Sequence, residues 1–420
     1  LGIIVLISLR LCFMQRYNMR SIIILGAGIM QIPAIKTAKE LGLFVIAVDR
    51  DKNAVGFEYC DLALDIDTKD IDSLLRFAVN NKYKYNISGV FAAADNAVSA
   101  AAINEQLNLI GVNSFSAMYS NNKSLSKQLW LKNNVPTPLA KEVKTIDEAK
   151  NAIDKIGLPC MVKAVDSSAS RGTQKLERIE DLEAALYEAF MQSTTHTALI
   201  EEYVEGEEYS VETVIYNGKQ YRFGIAKREY DMLPLPIETG HVNPAFLPKK
   251  TEEEMYEVVK NAALALKINN APAKADMIIR KKDNKIMILE MAARLSGGFH
   301  SQYTTPLSSG MEPIKFVIQL TIGDIPDPET YTPNKKRVSL CRAIFPKPGL
   351  VKKIEGVEEA LKIKNVNQIF LTIKEGETIS EYKNCAHRVC YVITSGDTYE
   401  QANYAFELAK KTIKIYTWSF

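Results

Sequence analysis

Residues 274–294 read KADMIIRKKDNKIMILEMAAR. Two apolar runs flank a polar KKDN segment, which is the pattern of a β-hairpin. Centring the turn on Asp283 sets Asp276 opposite Glu290 and Ile278 opposite Ile288. Side chains alternate between the two faces of a strand. One face then carries Ala275, Met277, Ile279, Met287, Leu289 and Met291. The other carries Lys274, Asp276, Ile278, Ile288 and Glu290. Like charges directly opposed destabilise a sheet. A hard cation between the carboxylates reverses that sign, because such ions take oxygen ligands and keep phosphates and waters as the others. The hairpin therefore reads as a platform for a metal ion and phosphate. The plainer alternative is two carboxylates on a solvated sheet face.

A second stretch offers phosphate chemistry of its own. Lys163 stands near the end of an apolar run at 159–164, and Asp166-Ser167-Ser168-Ala169-Ser170-Arg171-Gly172 follows it. A loop of small residues can present backbone N–H groups and hydroxyls to phosphate oxygens beside a lysine. It is not a Walker loop, since G-x-x-x-x-G-K-[ST] is absent. A surface turn is the alternative. The proline-rich segment 234–248 reads as a loop holding Glu238 and His241, and such loops often carry specificity. Near the start, Gly26-Ala27-Gly28 follows an apolar run and Asp49 ends the next. That is a βαβ glycine turn, but Gln31 replaces the third glycine of the dinucleotide fingerprint. Cys385, His387 and Cys390 lack a fourth zinc ligand, and strand alternation sets the two cysteines on opposite faces.

The elements that must position these groups alternate in type. Strands are expected at 21–25, 44–48 and 87–94, the last running into Asp95, with helices through Ile32–Leu41 and Ala97–Leu107. An amphipathic helix is expected at 120–127, then extended chain forced by Pro136 and Pro138. Helices follow through Ile146–Ile156 and Ile179–Phe190, and a strand at 197–203. A hairpin turns at Asn217-Gly218. A helix with Met255, Val259 and Leu266 precedes the opening hairpin, and Ser296-Gly297-Gly298 turns into another. Segment 324–333 is a candidate boundary. Beyond it, strands at 338–345, 368–374 and 387–395 and a terminal helix form an α+β portion. The 420 residues fit several domains. Residues 1–18 are apolar but too short to span a bilayer, and are expected to be a non-native or frayed extension. A net charge of +2 gives no reason to expect nucleic acid or an anionic membrane as partner. Six scattered cysteines fit a reducing, cytoplasmic setting.

Taken in order, these features resemble the ATP-grasp superfamily, the fold of biotin carboxylase, glycinamide ribonucleotide synthetase and carboxylate–amine ligases. The carriers are Lys123 after Asn-Asn, Lys163 before SSASRG, EEYV at 201–204 followed by GEEYSVET, and Asp276 and Glu290 followed by Arg294 in E-x-A-A-R-L-S-G-G. The similarity spans about 21–415. PKPGLVKKIEGVEEALK and GDTYEQANYAFELA look most like the terminal domain of L-amino acid ligases. The resemblance implies an α/β ATP-grasp fold: a first α/β domain at 19–115, an ATP-grasp domain at 116–325 with a lid at about 136–204, and a C-terminal α+β domain at 326–420.

It also implies roles. Lys123 and Lys163 would bind ATP phosphates, under a loop containing Ser167, Ser168, Arg171 and Gly172. Glu201 and Val204 would meet the adenine through backbone, with Glu202 and Tyr203 lining that hinge. Glu207 would accept from the ribose. Asp276 and Glu290 would hold Mg²⁺, with Mn²⁺ as the alternative ion. Arg294 would contact the acyl phosphate or the transferred phosphoryl group, and with Lys163 is the catalytic candidate. Glu238, His241, Ser296 and Gly297 are candidate substrate contacts. Ala292 departs from the family, where Asn often supplies a further metal ligand. The implied activity is an ATP-dependent carboxylate–amine ligase working through an acyl phosphate on small, amino-acid-like substrates, with no nucleic acid or membrane partner and a homodimer as the suggested assembly. The alternatives are a purine- or bicarbonate-type ATP-grasp enzyme and a nucleotide-binding regulator.

Overall fold

The computed structural model describes residues 19–92, 95–232, 237–327 and 331–418. The extension expected at 1–18 lies outside them, as do 93–94 of the strand expected at 87–94 and 234–236 of the proline-rich loop. Four short apolar runs form the first sheet: β1 (Ser21–Leu25), β2 (Phe44–Asp49), β3 (Leu62–Asp65) and β4 (Ile87–Ala92), in the order β3-β2-β1-β4 and all parallel. Every residue of β1 is buried, as expected of a parallel strand covered on both faces. Gly26 follows with φ +101°, a conformation that a side chain would strain. Asp49 Oδ2 accepts from the Ala27 N–H at 2.8 Å and so pins this turn.

A second antiparallel sheet comprises β5 (Ala140–Val143), β6 (Cys160–Ala164), β7 (Thr173–Leu176) and β8 (Ala198–Glu202) in the order β5-β8-β6-β7. Helices Ile146–Ile156 and Leu182–Gln192 cover one face, packing Ala149, Ile153, Leu182 and Leu186 on Val162 and Ile200. Thr145 caps the first helix by accepting from the Glu148 N–H, and Gly157 closes it with φ 88°.

The third sheet has eight strands. β9 (Gly206–Tyr216), β10 (Lys219–Glu229), β11 (Gly240–Asn243), β12 (Ala271–Arg280) and β13 (Ile286–Ala292) are joined by β14 (Val338–Ile344), β16 (Val366–Leu371) and β18 (Cys390–Gly396). The order is β13-β12-β9-β10-β11-β14-β18-β16, so strands from both sides of the 324–333 segment build one surface. β15 (Gly349–Glu355), β17 (Thr378–Ile379) and β19 (Lys414–Trp418) form a small separate sheet.

The α/β class and the order of elements match the sequence reading, with local corrections. Ser120 ends one helix, and Asn122 starts the Lys123–Lys132 helix by accepting from the Ser124 and Leu125 N–H groups. Asn competes for backbone donors and breaks a continuous helix there. The proline-rich loop contains β11. The expected strand at 387–395 begins at Cys390, behind a tight turn at Cys385–His387. The Tyr399–Thr412 helix is followed by β19.

The hairpin also differs from a simple ladder. Asp276 is opposite Glu290 as expected, but Met277 is opposite Ile288 and Ile278 opposite Met287. Leu289 is the extra residue of a β-bulge, which shifts the register by one. Ile288 therefore packs in the core beneath the sheet. Met287 and Leu289 instead join Ile278 and Val204 on the upper face.

Candidate active site

The upper face of the large sheet floors a cleft of about 360 Å³. The pairing sets its contents out strand by strand. Glu290 is opposite Asp276, and Asp276 opposite Ser210. Further along, Arg228 is opposite His241, and His241 opposite Cys341. A second bulge makes this possible. Arg222 pairs with Thr213, but Gly224 pairs with Glu212, leaving Phe223 extra. That one-residue shift turns Arg228 to the face carrying Glu208 and Ser210. Gly240 lets β11 lie close to β14: a Cβ there would stand 2.5 Å from Arg342 Cγ.

The floor is densely charged. Arg228 Nη1 lies 3.2 Å from Asp276 Oδ1 and its Nη2 lies 3.2 Å from Glu238 Oε2. Lys274 Nζ donates to Asp276 Oδ2 at 2.5 Å. Burial raises the Glu238 carboxyl, but Arg228, Arg388 and His241 outweigh it and hold it at about 2. Burial lowers His241 to about 4, so the ring is neutral at pH 7. Its Nε2 is 3.0 Å from Thr304 Oγ1.

The walls come from β6, the Lys123–Lys132 helix and the loops beside the large sheet. Lys123 Nζ donates to the Ser167 carbonyl at 2.5 Å and stands 3.6 Å from Glu290 Oε1. Lys163 Nζ donates to Glu201 Oε1 at 2.5 Å, and Lys127 Nζ lies 2.9 Å from Glu201 Oε2. Burial opposes ionisation of Glu201, but the two ammonium groups keep its carboxyl below the usual range. Arg294 Nη2 donates to Asp95 Oδ1 at 2.8 Å. Burial pushes Asp95 up, but Arg294, the Ser168 hydroxyl and Arg171 bring it to about 2. Asp95, just beyond β4, thus ties the first sheet to Arg294 and to the small-residue loop. Across the cleft, the Cys385 N–H donates to the Ala169 carbonyl at 3.1 Å, holding the same loop from the C-terminal side. Ser296-Gly297-Gly298 lies against the floor because Ser296 N–H donates to both Glu212 oxygens at 3.1 Å.

Comparison with known proteins adds two family matches: residues 156–302 match the ATP-grasp domain, and residues 342–417 match the L-amino acid ligase C-terminal domain 2. The chain carries an ATP-grasp domain followed by an L-amino acid ligase C-terminal domain. Phosphoribosylamine–glycine ligase of Lactococcus lactis is 31% identical over 171 residues, 40% of this chain and 41% of that protein. A formate-dependent phosphoribosylglycinamide formyltransferase of Prochlorococcus marinus is 24% identical over 409 residues, covering 94% of this chain and 97% of that one. The L-amino acid ligase structure from Bacillus licheniformis superimposes with a TM-score of 0.81 at 21% identity, covering 96% and 99% of the two chains. Phosphoribosylglycinamide synthetase from Anaerococcus prevotii gives 0.75 at 24%, covering 95% and 100%. At these identities the structures establish the ATP-grasp fold alone.

Within the ATP-grasp cleft the expected residues divide. Lys123, Lys163, Ser167, Ser168, Asp276, Glu290, Arg294, Glu238, His241, Ser296 and Gly297 all line it. Glu201 sits behind Lys163 in β8, and its side chain is engaged by lysines. Val204 joins the apolar patch of Ile278 and Met287. Glu202 accepts from the Leu139 N–H, and Tyr203 lies under Lys175. Arg171 folds back on Ser168, and Gly172 packs on Gln192 and Ala189. Glu207 points to the opposite face, where Lys227 and Tyr209 hold it; its neighbour Glu208 faces the cleft. Sequence reasoning missed Asp95, Glu208, Arg228, Arg388 and Tyr391. Period-two reading of β9 could have found Glu208. Arg228 was hidden by the bulge, and Arg388 by its distance along the chain.

A divalent ion fits the donor set. Asp276 and Glu290 are directly opposed, and Asp276 Oδ1, although near Arg228, accepts no hydrogen bond. Among the described residues no cluster of three or more acidic, His or Cys ligands surrounds that point, so phosphate or water would complete the shell. No helix among the described residues is long and apolar enough to cross a membrane.

Proposed function

We propose that the protein is an ATP-dependent carboxylate–amine ligase that joins small, amino-acid-like substrates through an acyl phosphate. The observation carrying this reading is the gathering of Lys123, Lys163 and Arg294 around one opposed carboxylate pair, beside the Ser296-Gly297-Gly298 turn. In such chemistry a substrate carboxylate oxygen attacks the γ-phosphorus of ATP and ADP departs. An amine nitrogen then attacks the acyl carbon, and the departing phosphate takes the amine proton. Catalysis is mostly positioning and neutralisation of spread negative charge. Asp276 and Glu290 would hold Mg²⁺, which supplies part of that neutralisation when bound. Lys123 and Lys163 bind phosphate oxygens. Arg294, aimed by Asp95, stabilises the transferred group. The loop held between Asp95 and Cys385 keeps water from the intermediate.

The Val204, Ile278, Met287 and Leu289 patch is the seat for the adenine. The C-terminal match favours an amino acid as substrate. A ribotide amine, as the names of several relatives suggest, is the second reading.

The test is phosphate release from Mg·ATP across single and paired amino acids, with mass analysis of products. A pair-dependent release with a condensed product is expected. Nucleotide binding without stimulation by any pair overturns the amino-acid reading. Replacing both metal candidates, Asp276→Asn with Glu290→Gln, is expected to weaken nucleotide affinity in magnesium by about 100-fold or more, as loss of charge-assisted contacts implies. Unchanged affinity by calorimetry would overturn the metal assignment.

A further inference from the structure

The C-terminal domain places a guanidinium at the cleft that the chemistry above does not use. Arg388 precedes β18. Its Nε donates to the Cys385 carbonyl at 2.9 Å and its Nη1 to the Glu238 carbonyl at 2.9 Å. These two bonds fix the plane of the head, whose centre stands 5.3 Å from the Tyr391 ring centroid. The side chain is only 14% exposed, and the Glu238 carboxylate lies 4.0 Å from Nη1, beyond hydrogen-bond reach. That carboxylate is already shared with Arg228. Among the described residues Nη2 has no hydrogen-bond partner. A nearly buried cation with an open donor edge is costly unless an anion completes it. A planar carboxylate fits a guanidinium edge best.

The surroundings narrow the ligand. Met30, Cys341, Ala343 and Tyr391 line the cleft around Arg388 and present small or apolar surface. Glu238 is adjacent, and among the described residues its Oε1 is met only by His241 Nδ1, at 3.8 Å. A cation edge beside an anion suits a molecule bearing both an amine and a carboxylate. It suits a phosphate dianion poorly, since Glu238 would repel it.

We propose that Arg388 is the specificity-determining anchor for a free carboxylate, so that one substrate keeps a carboxylate distinct from the one being activated, with its amine toward Glu238. The proposal rests on the amide-forming reading, and names α-amino acids rather than simple amines as the class bound at the C-terminal end of the cleft.

With one amino acid held at a fixed concentration to supply the activated carboxylate, the experiment compares each L-amino acid with its carboxamide as the amine partner in the full-length protein. Binding is read by thermal shift in the presence of a non-hydrolysable ATP analogue, and KM and kcat by phosphate release. In the wild type, free acids are expected to bind about 100-fold more tightly than carboxamides, the weight of a charge-assisted pair. Arg388→Met is expected to raise KM for acids by that factor, leave carboxamides and nucleotide affinity unchanged, and alter kcat little. Arg388→Lys is expected to fall between. Equal losses for acid and carboxamide, or a wild type indifferent to the carboxylate, would overturn the proposal. The binding readout needs no turnover. Failure of the ligase reading therefore shows as absent phosphate release, and failure of the anchor as absent carboxylate preference.

Discussion

At the scale of single residues, the cleft is held by charges that cannot be removed one at a time. Glu201 is 2% exposed and faces two lysines. Glu201→Gln would leave two ammonium groups in a dry site with no anion. Breaking a buried pair this way costs about 3–5 kcal/mol, so urea denaturation should show a loss of that order. A loss below about 1 kcal/mol would mean that water reaches Lys163.

His241 makes a different prediction. Its folded value of about 4 lies below the unfolded 6.5. The unfolded chain therefore binds more protons between those values, and stability falls as pH drops from 6.5 towards 4. The shift corresponds to roughly 3 kcal/mol for complete burial. Stability curves measured across that window should slope accordingly, and His241→Asn should reduce the slope, with the buried His300 ring, also lowered by burial, supplying the remainder. Glu238 and Asp95, both held at about 2, add a further loss only below their ordinary carboxylate values.

At the scale of elements, two one-residue irregularities decide which side chains meet. Deleting Leu289 would give β12 and β13 an unbroken ladder while keeping Asp276 opposite Glu290. The expected result is a folded protein, with circular dichroism and melting temperature close to the parent, but with nucleotide affinity weakened about tenfold by loss of the Leu289 wall, a step of about 1.4 kcal/mol. Unfolding would show instead that the bulge itself is required by the twist of the sheet. The same irregularities explain what was legible beforehand. The opposition of Asp276 and Glu290 was readable because both lie on the far side of the bulge from the turn, where centring on Asp283 happens to hold. Ile278 and Ile288 lie across it, so their pairing was misjudged. Strands, glycine turns and lysines with local signatures were visible in the chain. Arg228 was not, because its face depends on Phe223 being extra. Arg388 was not, because only the order of eight strands brings residue 388 beside residue 238.

At the scale of the molecule, the small-residue loop is gripped from two directions. Asp95 reaches it from the first sheet and Cys385 from the C-terminal portion. If that grip excludes water, Asp95→Asn should raise the phosphate released per product formed, while ATP binding changes little. An unaltered ratio would remove Asp95 from closure and leave it only as a support for Arg294. The continuity of the large sheet bears on how the chain can be divided. β11 has four residues and lies between β10 and β14, pairing with both. A fragment ending near 325 would leave it as a bare edge, with unpaired donors and acceptors ready to join another chain. Expressed alone, the nucleotide-binding half should therefore aggregate or dimerise edge to edge. Supplying residues 326–420 as a separate polypeptide should rescue it by strand complementation.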